Sequence, residues 1–273
     1  MEPPFGALRH PLVIAHRGSM VLAPENTLYS FELADAAGAD VLELDVHPSS
    51  DGHIMVIHDP TVERTSNGTG AVRSLRLSEL KGLDFAWQFR LPDAEGYPMR
   101  GMGITIPTLN ELFDRFPGRS YSIDIKENDP DFAVEVVRLI HRREMRSRVV
   151  FGSFHPRITR LLREAVPPVA VAADRPAALR LLVASYAGLP ARVLAPCDAY
   201  MLPDRSGLLP VATSPLIRTI HRLGRRLYVW TVDDPDVMRR LLARGADGII
   251  TNRTDLAFAV RRQFLENGGR PDG

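Results

Sequence analysis

The feature that most constrains this chain is an alternation, along most of its length, of short apolar runs rich in β-formers with segments of helical periodicity. Such alternation is typical of a parallel sheet wrapped by helices. Eight of the runs predict strands of one sheet, at 12–15, 41–46, 121–125, 148–151, 169–172, 199–202, 227–231 and 248–250. The predicted fold class is therefore α/β, a (β/α)8 TIM barrel, with a short extra strand at 54–57.

Helices are predicted between the strands, at 27–37, 133–142, 157–164, 177–185, 215–223, 235–243 and 255–264. Pro215 and Pro235 suit the first turn of a helix, where the amide hydrogen that proline lacks would have no partner. The segment 61–105 breaks the repeat because it is rich in Gly, Arg and Ser. We predict that it is a small insertion after the second strand, over the barrel mouth, and either an ordinary surface loop or a lid.

Composition narrows the class of protein. A chain of 273 residues that is 45% hydrophobic can bury a full core, and we predict a single domain over 1–273 rather than two smaller ones. The chain has 34 Lys and Arg against 33 Asp and Glu, so its net charge is close to zero. It therefore has no strong overall positive potential of the kind that attracts nucleic acid. Cys197 is the only cysteine, which excludes an internal disulfide and fits a reducing compartment.

We expect neither a signal peptide nor a membrane anchor. The segment 1–10 has two prolines and no long apolar run, and no other stretch is long and apolar enough to span a membrane. The expected location is therefore cytoplasmic, with no integral membrane segment. The sequence leaves the oligomeric state open.

Active sites of (β/α)8 barrels form at the mouth where the strands end. The first strand ends in His16 and Arg17, an imidazole beside a guanidinium, which suits an anion. The second strand ends in Glu43, Leu44 and Asp45, and alternation puts both carboxylates on the inward face. Two buried like charges need a compensating cation, either a metal ion or a nearby Arg or Lys. Carboxylate oxygens favour Mg²⁺, Ca²⁺ or Mn²⁺ over zinc.

Two further strand ends add polar groups to the same mouth. The short extra strand is followed by His58 and Asp59, so a second imidazole arrives close in sequence to the carboxylate pair. At the end of the third barrel strand, Asp124 and Lys126 share a face by the same alternation. The inward face therefore carries a further carboxylate and a further cation.

The strand ends belong to a longer series of motifs: Ile14-Ala15-His16-Arg17-Gly18, Pro24-Glu25-Asn26-Thr27, Glu43-Leu44-Asp45-Val46, Val56-Ile57-His58-Asp59-Pro60, Ile106-Pro107-Thr108-Leu109, Gly152-Ser153-Phe154, Val229-Trp230-Thr231-Val232-Asp233 and Gly248-Ile249-Ile250-Thr251-Asn252. In order and spacing, these motifs resemble those of the glycerophosphodiester phosphodiesterase family. The resemblance covers nearly the whole chain. It implies a (β/α)8 barrel that hydrolyses glycerophosphodiesters, which are small-molecule substrates, to glycerol 3-phosphate and an alcohol.

The resemblance also implies roles for individual residues. His16 and His58 match the catalytic acid–base pair, without indicating which of them is the acid. Arg17 and Lys126 match positions near the phosphate, so we expect both to bind substrate. Trp230, at the end of the seventh strand, is predicted either to stack on the glycerol moiety or to be a core aromatic.

The resemblance further implies a metal site. Glu43 and Asp45 match ligands of a divalent cation, which we expect to be Mg²⁺ or Ca²⁺, with Mn²⁺ possible. The third-strand motif departs from the family pattern Glu-x-Lys because its acid is Asp124, which is one methylene shorter. Asp124 is expected to bind the cation directly or through a water. Glu127 is a poorer candidate because alternation places it on the opposite strand face from Asp124.

Two other functions share much of this pattern. A lysophospholipase D acting on lysophospholipids would have the same motifs, and we would expect an apolar groove or membrane segment around its lid. A non-catalytic barrel that binds phosphate esters would tolerate loss of the acid–base pair, whereas both histidines are present here. The sequence does not indicate which alcohol is released.

Overall fold

The predicted apolar runs form the strands of a barrel, because they supply the side chains that fill its core. The computed structural model describes residues 5–187 and 197–269. Its strands, in chain order, are β1 (Leu12–His16), β2 (Val41–Pro48), β3 (Ile54–Val56), β4 (Ser120–Ile125), β5 (Val149–Gly152), β6 (Ala170–Val171), β7 (Ala199–Pro203), β8 (Arg205–Ser206), β9 (Leu209–Pro210), β10 (Arg226–Trp230) and β11 (Gly248–Thr251).

Eight strands of the described part of the chain form one parallel barrel. Their order is β6-β5-β4-β2-β1-β11-β10-β7, so each barrel strand lies beside the next one in the chain. The last strand pairs with the first, with Ala15 opposite Thr251. A bridge between Ala172 and Ala199 joins the chain after β6 to β7 and completes the ring. The prediction of a (β/α)8 TIM barrel is confirmed.

Helices cover the outside of the barrel. They are α1 (Leu28–Ala36), α2 (Leu77–Lys81), α3 (Leu109–Arg115), α4 (Pro130–Arg142), α5 (Pro156–Arg163), α6 (Arg175–Ala187), α7 (Ser214–Arg222), α8 (Pro235–Ala243) and α9 (Thr254–Glu266). The hydroxyl of Thr27 accepts a hydrogen bond from the Ser30 amide, and the carboxylate of Asp234 accepts one from the Asp236 amide. Such caps satisfy amides that the first helical turn leaves unpaired.

Alternation along the strands divides the apolar side chains into two layers. In β1, Val13 and Ala15 pack outward with the helices, whereas Leu12 and Ile14 fill the barrel interior. On the same inward face the next residue is His16. The change from apolar to polar side chains at the carboxyl ends of the strands creates a polar mouth.

The chain between β3 and α3 forms the predicted insertion. An antiparallel bridge pairs Met55 with Thr108, so the insertion leaves and re-enters the barrel at one place. A separate apolar cluster holds it together, formed by Met55, Ile57, Val62, Val72, Leu80, Phe85 and Ile106. Farther along, the guanidinium of Arg100 lies 4.2 Å from the ring centroid of Trp87 and 3.7 Å from that of Tyr97. The insertion therefore has a packed interior of its own.

Helices α2 and α3 and the hairpin β8–β9 were not predicted. The two helices have five and seven residues, which is too short for a helical period to stand out. A cue for α3 was nevertheless present, because Thr108 and Glu111 form a capping box. No helix among the described residues is long and apolar enough to cross a membrane.

Candidate active site

Three carboxylates on two neighbouring strands lie at the centre of the barrel mouth. Glu43 and Asp45 are on the inward face of β2, and Asp124 on β4 is directly opposite Asp45 in the parallel register. His16, at the end of β1, is opposite Glu43. Glu43 is 8% exposed and Asp45 is 1% exposed, so bulk water solvates neither of them well. The structure brings these four predicted site residues together.

Two side-chain cations compensate this negative charge. Nζ of Lys126 lies 2.8 Å from Oδ1 of Asp45 and 2.5 Å from Oδ2 of Asp124. Nε of Arg17 lies 3.1 Å from Oδ2 of Asp45, and the side-chain amide of Asn26 donates to the same oxygen at 3.0 Å. Both oxygens of Asp45 therefore face donors, as a buried carboxylate requires.

The surrounding charges act on the two β2 carboxyls in opposite directions. Burial tends to raise the pKa of Asp45, but the positive charges of Lys126 and Arg17 outweigh it and hold this pKa well below its usual range. Burial, together with the negative charge of Asp45, raises the pKa of Glu43 well above its usual range. The cluster is therefore short of positive charge at Glu43.

A tight turn after β1 presents Arg17 to the cluster. Arg17 has a φ of +52° and Gly18 a φ of +84°. A Cβ atom on Gly18 would lie 2.3 Å from Oγ of Ser30, so α1 approaches closely only because this residue is glycine. The same turn aims the backbone amide of Arg17 at Glu43, where it donates to Oε2 at 2.9 Å. The turn thus orients Glu43 as well as the guanidinium.

His16 is held by residues that follow β10 and β11, two strands that are far from β1 in the sequence. Its Nδ1 donates to Oδ1 of Asn252 at 2.7 Å. The amide nitrogen of Asn252 donates to Asp233 at 2.7 Å, which makes Oδ1 the atom that faces the imidazole. Nδ1 therefore carries the hydrogen, and Nε2 is the basic nitrogen of neutral His16. Burial and the positive charge of Arg17 lower the pKa of His16 and favour its neutral form.

His58, which follows β3, is the second imidazole of the mouth. Its Nδ1 donates to Oδ1 of Asp59 at 2.6 Å, and Oδ2 of Asp59 accepts from Arg64. The His58 side chain is 32% exposed, and its charge is one of those that lower the pKa of Asp45. Both histidines therefore lie near the carboxylates, and in both the Nε2 nitrogen is the one left for a substrate.

His47 and Glu127 form a pair that sequence reasoning missed. His47 is on the inward face of β2, and its Nε2 donates to the backbone carbonyl of His58 at 3.0 Å. Its Nδ1 lies 2.8 Å from Oε1 of Glu127. Because β4 ends at Ile125, strand alternation does not determine the direction of Glu127, which pairs with His47 instead of joining the three carboxylates. The spacing 43, 45, 47 on β2 was the signal that could have found His47.

Two aromatic side chains border the mouth. Trp230, at the end of β10, is half-buried and packs against the interior cluster that contains Tyr228. Phe154, which follows β5, is 52% exposed, and its ring centroid lies 5.5 Å from Nζ of Lys126. Phe154 belongs to one of the sequence motifs but was given no role. An exposed ring next to a buried cation indicates a surface for the organic part of a ligand.

The donor chemistry of the cluster suits a hard divalent cation. Glu43, Asp45 and Asp124 offer carboxylate oxygens, and the raised pKa of Glu43 marks a position where added positive charge is favourable. Across residues 5–187 and 197–269, however, no three His, Cys, Asp or Glu side chains converge on one metal position. The ammonium of Lys126 lies between Asp45 and Asp124 instead. The three carboxylates therefore suit a divalent cation by their chemistry. The ammonium of Lys126 would compete with that cation for Asp45 and Asp124.

A complete parallel barrel with such a mouth defines the class of TIM-barrel enzymes. The comparison with family models then specifies the protein further. The model of the glycerophosphoryl diester phosphodiesterase family matches residues 16–256, which run from the first histidine of the mouth into α9. The chain belongs to this family and is a glycerophosphodiester phosphodiesterase by class, a phosphoric diester hydrolase. The resemblance noted in the sequence is confirmed.

Individual relatives are similar to this chain along nearly their whole length. A glycerophosphodiester phosphodiesterase of Caldanaerobacter subterraneus subsp. tengcongensis is 33% identical over 260 residues, which cover 92% of this chain and 98% of the relative. A probable glycerophosphodiester phosphodiesterase 2 of Mycobacterium tuberculosis is 34% identical, with 99% and 97% covered. The crystal structure of a glycerophosphodiester phosphodiesterase from Agrobacterium tumefaciens superimposes with a TM-score of 0.72 at 28% identity, covering 92% of this chain and 99% of that one.

Proposed function

We propose that this protein hydrolyses glycerophosphodiesters to glycerol 3-phosphate and an alcohol in a reaction that depends on a divalent cation. The observation that carries the proposal is the pair of imidazoles, His16 and His58, placed around a buried cluster of carboxylates and cations. Each imidazole has its Nδ1 directed to a side-chain oxygen, which fixes the tautomer that an acid–base catalyst requires.

The division of labour between the histidines follows from their surroundings. His16 has a lowered pKa and is neutral near pH 7, so its Nε2 would accept a proton from the attacking oxygen. That oxygen belongs to water or to the glycerol hydroxyl next to the phosphate. His58, more exposed and bonded to the carboxylate of Asp59, would then donate a proton to the departing alkoxide. If the glycerol hydroxyl attacks, departure of the alcohol leaves a cyclic phosphate, which water then opens to glycerol 3-phosphate with the roles of the two histidines exchanged.

The charge of the phosphodiester would be met by side chains already at the mouth. Arg17 and Lys126 would stabilise the negative charge that builds on the phosphoryl oxygens. Glu43 and Asp45, with Asp124 as third ligand, would hold Mg²⁺ or Ca²⁺, with Mn²⁺ as an alternative. When bound, such a cation acts as a Lewis acid toward a phosphoryl oxygen. Trp230 would contact the glycerol carbons.

The proposal extends to organisation and location. We assign the catalytic activity to one domain over 1–273, with 61–105 as an insertion beside its mouth. A cytoplasmic location suits Cys197, which is a free and buried thiol.

A substrate panel tests the proposed function. Glycerophosphocholine, glycerophosphoethanolamine, glycerophosphoinositol and lysophosphatidylcholine are each incubated in EDTA and in excess Mg²⁺ or Ca²⁺. The released alcohol is measured for every substrate, together with glycerol 3-phosphate from the glycerophosphodiesters and acyl-glycerol phosphate from lysophosphatidylcholine. We expect the three glycerophosphodiesters to be hydrolysed when Mg²⁺ or Ca²⁺ is present and not in EDTA. Turnover confined to lysophosphatidylcholine would assign a lysophospholipase D instead. Binding without any turnover would assign a phosphate-ester-binding barrel, and full activity in EDTA would exclude the metal.

A further inference from the structure

The insertion supplies one cation to the mouth, the guanidinium of Arg64. Its two terminal nitrogens donate to the two carboxylate oxygens of Glu25, each at 2.8 Å. Its Nε donates to Oδ2 of Asp59. Arg64 is 48% exposed, whereas Glu25 is 9% and Asp59 25% exposed. Each of the three nitrogens of this partly exposed guanidinium therefore donates to a carboxylate that is more buried than Arg64 itself.

Each of these two carboxylates also forms a hydrogen bond with a residue that takes part in the proposed reaction. The second oxygen of Asp59 accepts from Nδ1 of His58, while Glu25 also accepts from Nη1 of Arg17 at 3.0 Å. Arg64 thus stands in the middle of a chain of charge-assisted hydrogen bonds that runs from His58 to Arg17. Bidentate contacts of this kind fix orientation because a planar guanidinium matches a carboxylate in only a few geometries.

The charges show why the arrangement needs Arg64. Burial tends to raise the pKa of Asp59, but its hydrogen bonds with Arg64 and His58 outweigh burial and lower that pKa. Burial also tends to raise the pKa of Glu25, and Arg64 is the largest of the groups that lower it instead. Without Arg64, Asp59 would keep its hydrogen bond with His58 but would be free to rotate about its side-chain bonds, taking the imidazole with it.

We propose that Arg64 is a positioning residue of this enzyme: it holds Asp59 in the rotamer that orients His58 and, through Glu25, ties that orientation to Arg17. The inference rests on the proposed function and adds to it a requirement for the insertion. The hydrogen bonds and ion pairs of Arg64 go to Glu25 and Asp59 and not to His16 or His58, so its effect on His58 is exerted through Asp59. Its removal should lower kcat and leave KM nearly unchanged.

The experiment compares Arg64→Ala, Arg64→Lys and the control Arg90→Ala with glycerophosphocholine as substrate. Arg90 is another exposed arginine of the insertion, and it contacts Tyr97 rather than the mouth. We expect Arg64→Ala to lower kcat by about 10-fold or more, short of the roughly 10²-fold that loss of an acid–base catalyst costs. KM should change less than about threefold, Arg64→Lys should recover part of kcat, and Arg90→Ala should match the wild type.

Two further readouts separate positioning from loss of structure. Guanidinium ions at millimolar concentration should restore part of the activity of Arg64→Ala, whereas sodium chloride at equal ionic strength should not. In the double variant Arg64→Ala/Asp59→Asn, kcat should fall no further than in Asp59→Asn alone, because both changes act through one contact. The inference would be overturned if the fold-loss of kcat in the double variant equalled the product of the two single losses. A kcat for Arg64→Ala equal to that of the wild type would overturn it as well.

An activity-independent measurement keeps this inference distinct from the proposed function. At a pH high enough to deprotonate the imidazolium, the ¹⁵N shifts of the His58 ring should report one tautomer, with hydrogen on Nδ1, in the wild type and a mixture in Arg64→Ala. An inactive wild type would refute the proposed function while this spectrum still tested the role of Arg64. A single unchanged tautomer in Arg64→Ala would overturn the inference in either case.

Discussion

Replacement of Lys126 by methionine tests whether the carboxylate cluster depends on a cation. Methionine retains most of the length of the side chain but removes the ammonium that lies 2.8 Å from Asp45 and 2.5 Å from Asp124. Burial tends to lower the pKa of Lys126, but these two carboxylates outweigh it and raise that pKa, so the group removed is fully charged at neutral pH. The variant leaves Glu43, Asp45 and Asp124 facing each other with Arg17 as their remaining cation.

The expected loss of stability follows from the burial of this ion pair. Lys126 is 15% exposed and Asp45 is 1% exposed, so water replaces little of the lost interaction. Breaking a buried pair from one side costs about 3–5 kcal/mol. Asp45 keeps its contacts with Arg17 and Asn26, which places the expected decrease in the free energy of unfolding near the lower end, at about 3 kcal/mol.

Urea unfolding of the wild type and Lys126→Met, each in EDTA and in Ca²⁺ or Mg²⁺, measures this loss. A cation at 100 times its Kd stabilises a folded state by about 2.7 kcal/mol, so it should offset most of the loss. The control is Lys81→Met, the same change in a more exposed pair with Glu111, where the expected cost is below about 1 kcal/mol. The reasoning is refuted if Lys126→Met in EDTA loses no more than this control, or if the cation stabilises it no more than the wild type.

Three further predictions concern the same mouth. The pKa of Glu43 is raised, so the folded state binds the proton of this carboxyl more tightly than the unfolded state does. Protonated Glu43 therefore stabilises the fold below pH 4.5, the ordinary pKa of a glutamate. This stabilisation is lost as the pH rises through the pKa of Glu43 in the folded state. Unfolding in EDTA across that pH range should therefore show less decline for Glu43→Gln than for the wild type, and an equal decline would contradict the assignment. His16→Ala and His58→Ala should each lower turnover by roughly 10²-fold or more with a smaller effect on KM, and near-normal turnover would remove that histidine from the chemistry. Calorimetric titration should show that Asp124→Glu binds the cation and that Asp124→Asn binds it more weakly; tight binding by Asp124→Asn together with loss in Glu127→Gln would make Glu127 the third ligand.

Strand alternation accounts for what the sequence predicted well. Glu43 and Asp45 lie inside a regular strand, so their common direction followed from a period of two, and the buried pair is where it was expected. The same rule does not extend past Ile125, where β4 ends. Lys126 still turns toward the carboxylates because their charge attracts it, whereas Glu127 turns to His47. Past the end of a strand, local electrostatics rather than alternation decides direction.

The insertion marks the limit of such reasoning for the site. Arg64 is one of several arginines in a polar segment without periodicity, and nothing in the local sequence distinguishes it from Arg73 or Arg90. Its importance arises from contact with Glu25, 39 residues away, which only the folded chain brings near. Asn252 is similar, because it lies in a motif but its role depends on contact with His16 across the seam of the barrel.

The contact between His16 and Asn252 joins atoms that are 236 residues apart in the chain, across the line where β1 meets β11. The imidazole of His16 is therefore oriented by an amide that the ribosome adds 236 residues later. A nascent chain, or one cut before β11, carries both histidines but lacks the amide that orients His16. Recovery of hydrolytic activity during refolding would therefore report the fraction of molecules in which β11 has paired with β1.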